Sequence, residues 1–119
     1  MSNSTIVENP ALPCVLVIEN WVFIQRQTKK SLTHLGYEVV LTSFDYFDLF
    51  FNGNTVYSII MVGKNSQNIL PPQFLGELKA SMRPPTPPII VFDTHLDLTT
   101  NERTRALKAS IDKALANPA

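Results

Sequence analysis

The sequence is poor in three things that would narrow its function at once: cysteine, net charge and long apolar runs. A single cysteine, Cys14, among 119 residues makes neither an internal disulfide nor a Cys-rich zinc site, which fits a reducing compartment, the cytoplasm being the expectation. Ten Lys and Arg against ten Asp and Glu leave no formal net charge and a pI near 6.7. The electrostatic excess of a nucleic-acid or anionic-membrane binder is therefore missing, as is a recognition-helix motif. No run approaches the ~18 apolar residues of a membrane span, and residues 1–13 carry neither the basic start nor the apolar core of a signal peptide, so insertion and secretion are not expected. Glycine is scarce as well, four in all. None falls in the turn Glu19-Asn20-Trp21-Val22, where a phosphate loop or dinucleotide fingerprint would need it. Internal repeats, heptads, low-complexity tracts and blocks of like charge are missing too.

What is present reads as one globular domain. With 45% hydrophobic residues, a chain of this length buries enough surface for one core without staples. Residues 1–13, polar and with two prolines, are expected to form a flexible arm, leaving 14–119 as the folded unit. Cys14-Val15-Leu16-Val17-Ile18 is a short β-branched run, the pattern of a strand buried on both faces. Trp21, Ile24, Thr28, Leu32 and Leu35 then fall at helical spacing, Arg26, Lys29 and Lys30 take another face, and Gly36 supplies the stop. Tyr37 to Leu41 reads as a second strand, Asp45 to Phe51 as a short helix, and Val56 to Val62 as a third strand with Gly63 just past its end. Pro71-Pro72 leads into a helix carrying Phe74, Leu78 and Met82, and Ile89 to Phe92 reads as a fourth strand. Thr99 and Glu102 have capping-box spacing at the head of a last helix. Residues 111–115 fit either a fifth strand or a continuation of that helix.

Alternating β and α patterns with short connections imply a parallel sheet with helices on both faces, and function at the carboxyl ends of its strands. Those ends carry Glu19 and Asn20, Gly63 and Lys64, and Asp93 and Thr94.

Between Cys14 and Pro118 the chain resembles the receiver domain of bacterial response regulators, the phospho-accepting module of two-component signalling and phosphorelays. Val15-Leu16-Val17-Ile18-Glu19-Asn20 is similar to that family's first strand and acidic pair, and Leu32-Thr33-His34-Leu35-Gly36-Tyr37-Glu38-Val39 to its helix-Gly-strand joint. Ser58-Ile59-Ile60-Met61-Val62 resembles the strand before the phospho-acceptor, and Pro88-Ile89-Ile90-Val91-Phe92 the strand before the switch hydroxyl. The resemblance implies a flavodoxin-like α/β fold, a doubly wound parallel sheet of four or five strands in the order 2-1-3-4-5, here with its last helix trimmed or absent.

The chemistry departs from the family. A receiver holds Mg²⁺ with adjacent carboxylates, whereas Glu19 is followed by Asn20. The nucleophilic aspartate falls on Gly63, the switch hydroxyl on Asp93, and the lysine that pairs with phosphoryl oxygens on Asn117. The resemblance therefore implies a pseudo-receiver without catalysis or cofactor, acting by protein contact. Its implied partners are a histidine kinase, a phosphotransfer domain, other domains of a larger protein, or a second copy in a homodimer. Two other readings stand beside it. One is an atypical phosphorylatable receiver using an aberrant acidic site, with Glu19 and Asp93 as the one candidate metal pair. The other is an α/β domain that holds a small ligand at the strand ends.

Single residues carry plainer expectations. Lys64 stands as a solvated loop lysine or a cation for Asp93 or Glu19, and Trp21 as a plug over the site or a packing residue. Cys14 reads as a small core residue, and His34 and His95 have no ligand-spaced neighbours. Phe47, Phe50 and Phe51, with Phe44, Tyr46 and Leu49, are too many apolar groups for one face of a short helix. Part of the cluster is expected to be exposed as an interaction surface.

Overall fold

The computed structural model describes residues 13–51, 56–64, 70–82, 86–93 and 99–116. Strand β1 (Cys14–Ile18) lies inside the sheet, and Val15, Leu16, Val17 and Ile18 are all buried, which is why the run carries no polar residue. It pairs in parallel with β2 (Glu38–Thr42) on one side and with β3 (Ile59–Lys64) on the other, Val17 standing opposite both Leu41 and Met61. Strand β4 (Ile89–Asp93) pairs in parallel with β3, giving one sheet in the order β2-β1-β3-β4. This is a flavodoxin-like α/β fold. The fifth strand of the anticipated 2-1-3-4-5 order is not formed by residues 111–115, which are helical.

Alternation along the strands splits the core into two layers. Val15, Val17, Ile59, Met61 and Phe92 face one way, and Leu16, Ile18, Ile60 and Val62 the other. On the first face lie α1 (Val22–His34), through Leu32, and the long α3 (Thr100–Ala116), through Leu107 and Ile111. On the second lie a 3-10 turn (Phe47–Phe51) and α2 (Phe74–Ala80), through Phe47, Phe51, Phe74 and Leu78. Residues 111–115 continue α3 because Ile111 follows Leu107 by one turn and is buried in the same cluster. The helix thus covers the first face beside α1, where Thr104 Oγ1 donates to Ser31 Oγ at 3.0 Å.

The two anticipated helix signals are present. Gly36 takes φ 96°, a left-handed conformation that disfavours any side chain, and its N–H donates to the Thr33 carbonyl at 3.0 Å while that of Tyr37 reaches Leu32 at 3.1 Å. The pair forms a Schellman stop, with Tyr37 and Leu32 in one apolar cluster. At α3 the Thr99 N–H donates to Glu102 Oε1 at 2.8 Å, and the Glu102 N–H to Thr99 Oγ1 at 3.1 Å, a complete capping box.

Strand β3 departs from its sequence pattern at both ends. It starts at Ile59 rather than Val56, which is exposed, and it runs through Gly63 and Lys64 because these pair with Phe92 and Asp93 of β4. The anticipated arm over residues 1–13, apart from Pro13, lies outside the described residues.

Candidate functional site

The carboxyl ends of β1, β3 and β4 bring Glu19, Gly63 and Asp93 to one edge of the sheet, and the loop after β1 adds Asn20 and Trp21. The central feature is Glu19. It follows an interior strand of the sheet and is itself only 1% exposed, in a position where an unsatisfied carboxylate would be expensive. Its Oε2 accepts a hydrogen bond from the Trp21 N–H at 2.8 Å, at the start of α1, where free backbone donors and the helix dipole favour negative charge. The first turn of α1 has no acidic residue of its own and Trp21 offers no side-chain cap, so Glu19 supplies the negative charge at this helix end from outside the helix.

The same side chain lies against Gly63. A Cβ built at residue 63 would collide with Glu19 Oε1 and Cδ. The volume that a side chain at Gly63 would need is therefore already filled by a carboxylate from the neighbouring strand. Gly63 is required here for close approach rather than for an unusual backbone angle.

Around this contact the strand ends are laced together. The Glu19 N–H donates to the Thr42 carbonyl at 2.9 Å, and the Gln25 side-chain amide donates to the carbonyls of Glu19 at 2.5 Å and Thr42 at 3.3 Å. Asn20 Oδ1 accepts from the Phe44 N–H at 2.8 Å, binding the loop after β1 to the loop after β2. Sequence reasoning did not single out Gln25. It sits one turn inside an amphipathic helix with nothing in its spacing to separate it from other polar residues.

The remaining candidates fall apart as a chemical unit. Asp93 and Lys64 are opposite each other in register, both are exposed, and no ion pair joins them. Among the described residues no group of three or more His, Cys, Asp or Glu gathers as for a metal ion. The divalent ion that the receiver resemblance implies does not fit the residues present. Glu19 is turned onto Gly63 and the Trp21 N–H, and the Asn20 carbonyl oxygen is engaged by Phe44. Asn117, Thr94 and His95 lie outside the described residues.

Cys14, at the amino end of β1, is half-buried. Burial first, and the Glu38 carboxylate second, push its thiol above the ordinary range. At neutral pH it is held protonated and unreactive, as a packing residue rather than a nucleophile.

The anticipated aromatic surface is corrected in its membership. Phe47 and Phe51 pack inward, Phe47 edge-on to Phe74 at 5.2 Å between centroids and Phe51 edge-on to Tyr57 at 6.2 Å. They turn inward because the 3-10 turn is what covers this face of the sheet ahead of α2. The Phe50 side chain lies outside the described residues. Among the described side chains of the segment, the exposed apolar ones are Tyr46 and Leu49, each 61% exposed. Val22 and Phe23, at the start of α1, are also about half exposed, and Trp21 contacts Phe23 at 6.1 Å. All four follow the carboxyl ends of β1 and β2, the two ends joined by the Asn20–Phe44 hydrogen bond.

Comparison with protein-family models, curated proteins and solved structures gave no match.

Proposed function

We propose that this chain is a receiver-like module that has exchanged phosphoryl chemistry for a fixed conformation and acts by protein contact. The observation that carries this reading is the Glu19–Gly63 contact. In a receiver the strand end equivalent to Gly63 offers a carboxylate to phosphorus. Here that strand offers only a backbone, and the space over it holds Glu19, tied to the N–H of Trp21, the residue that precedes α1. An acidic group is thus present where charge would arrive, but it is buried and hydrogen-bonded, and it would repel a phosphoryl group rather than accept one.

The exposed apolar residues Val22, Phe23, Tyr46 and Leu49 beside this locked site support contact with a protein such as a histidine kinase, a phosphotransfer domain or another domain of a larger chain. Aromatic and aliphatic groups of this kind anchor interfaces when a partner removes them from water. On this reading there is neither cofactor nor catalysis, and the module works in signalling.

The test is a two-dimensional amide NMR titration with Mg²⁺ and then with beryllofluoride, a phosphoryl mimic. The expected result is an unchanged spectrum at Glu19, Gly63 and Asp93. Saturable shifts confined to those three strand ends would overturn the proposal in favour of an atypical phosphorylatable receiver.

A further inference from the structure

Helix α1 turns one face outward, and that face is divided into an apolar and a cationic part. Ile24, Thr28, Ser31 and Leu32 form the buried side of the helix. The opposite stripe runs through Val22, Arg26 and Lys30 at four-residue spacing, with Phe23 on one flank and Lys29 on the other, and all five are exposed. The first turn of the stripe is thus apolar and the next two are cationic, over about 12 Å of helix axis.

These cations have no complement within the molecule. The helix carries no acidic residue, and among the described residues no hydrogen bond or ion pair reaches Arg26, Lys29 or Lys30. The carboxylates of the adjoining helix α3 are engaged elsewhere, Asp112 with Lys108 at 2.6 Å and Glu102 in the Thr99 capping box. Arg26, Lys29 and Lys30 therefore keep their charge open to an incoming surface.

We infer that α1 docks an acidic amphipathic helix of a partner protein, laid antiparallel along this stripe. Antiparallel placement sets the partner's amino-terminal turns, where its dipole favours carboxylates, against Arg26, Lys29 and Lys30, and it opposes the two helix dipoles. An apolar side chain further along the partner then covers Val22 and Phe23 and removes them from water. The carboxylates steer the encounter and fix its direction, and the apolar contact retains it. An anionic membrane fits less well, because the chain as a whole has no net positive charge and the apolar part is confined to one turn. This partner class rests on the protein-contact reading above and does not involve the Glu19–Gly63 contact.

The experiment is a titration with an acetylated, stapled three-turn helical peptide that carries Glu along one face of its first two turns and Leu on that face of the third. Trp21 is the chain's only tryptophan, and its ring lies 6.1 Å from that of Phe23, so its emission reports on the apolar end while amide NMR shifts report on the whole stripe. Both are expected to change saturably, with the amide shifts centred on α1 and the affinity falling as salt rises. Lys29→Glu is expected to weaken binding about fivefold or more, and Phe23→Ala to weaken it without removing the salt dependence. Lys79→Glu on α2 is expected to leave it unchanged. Circular dichroism checks the folding of each variant, and Arg26→Glu replaces Lys29→Glu should that chain fail to fold. A peptide with Leu in its first turn and Glu in the last two is expected to bind more weakly, and equal binding would overturn the antiparallel placement.

No saturable binding at low salt, equal binding by wild type and Lys29→Glu, or shifts away from α1 would overturn the inference. So would tighter association with equimolar phosphatidylcholine and phosphatidylserine vesicles than with the peptide, or a concentration-dependent dimer lost in Lys29→Glu, since a membrane or a second copy would then be the occupant. Absence of peptide binding beside an unchanged spectrum with beryllofluoride would remove the acidic partner and leave the pseudo-receiver. Peptide binding by a chain that also takes the mimic would do the opposite.

Discussion

At the scale of single residues, Glu19 and Gly63 form a pair in which each explains the other. Buried carboxylates are rare unless held by donors, and this one is held by the Trp21 N–H and accommodated by a neighbour without a side chain. Substituting Gly63→Ala places a methyl group inside the Glu19 carboxylate, and overpacking of this sort costs about 1–3 kcal/mol. Replacing Glu19 by Ala vacates the same volume, so Gly63→Ala should cost much less in that background. A double-mutant cycle by urea denaturation is expected to show the two positions coupled by at least ~0.5 kcal/mol. Simple additivity would mean that the contact does not hold Glu19 in place. For the pseudo-receiver reading the same pair carries a further consequence: an aspartate at residue 63 cannot recreate an acceptor while Glu19 remains. On that reading, phosphoryl chemistry at this strand end would take changes at both positions.

At the scale of the elements, helix ends and strand cores were legible in the sequence, whereas strand limits and side-chain direction were not. Gly36 was readable as a stop because only glycine takes its left-handed angle cheaply, and Thr99 with Glu102 because a capping box requires that spacing. Thr99→Ala should lower stability by about 1 kcal/mol. The box also has a pH signature. Hydrogen bonds from the Thr99 backbone, then from its side chain, hold the Glu102 carboxyl below the ordinary glutamate range. Its contribution is present above the unfolded-state pKa and declines as pH falls through the lower folded value. The difference in urea midpoint between wild type and Glu102→Gln is therefore expected to shrink as the solution is acidified, and a difference constant with pH would argue against the cap. Where the sequence was silent, the deciding contacts came from other elements. Nothing local told Ile111 to extend a helix rather than start a strand, because burial beside Leu107 and Leu32 settles it. Likewise the inward turn of Phe47 and Phe51 is imposed by Phe74 and Tyr57, distant in the chain. The acidic residue at the candidate site was visible from its place after β1, but its occupation of the space over Gly63 depends on the pairing of β1 with β3.

At the scale of the whole molecule, zero net charge is an average over two unlike sides. The α1 and α3 layer carries Arg26, Lys29, Lys30, Arg103, Arg105, Lys108 and Lys113, seven of the ten basic residues, against Glu102 and Asp112, two of the ten acidic ones. On α3 part of this is compensated: Lys108 is bonded to Asp112 at 2.6 Å, and Arg105 acts on Glu102. On α1 there is no ion pair among the described residues and no acidic residue in the helix, and Arg26, Lys29 and Lys30 lie exposed on one face with Val22 and Phe23. Screening confines such a field to about 10 Å at 0.1 M salt, so an approaching surface meets the nearer side rather than the average. The chain should accordingly be retained on a sulfonate cation exchanger at pH 7 and low ionic strength, and released by moderate salt, despite its pI near 6.7. Lys29→Glu should weaken retention markedly, whereas Lys79→Glu on α2, an equal change of net charge on the opposite face, should leave it nearly unchanged. Equal losses from both changes would mean that net charge alone governs the behaviour. Retention weakened only with the α1 residue would give this layer a preference for acidic surfaces beside an apolar contact, the charge pattern a partner docking at Val22 and Phe23 would have to complement.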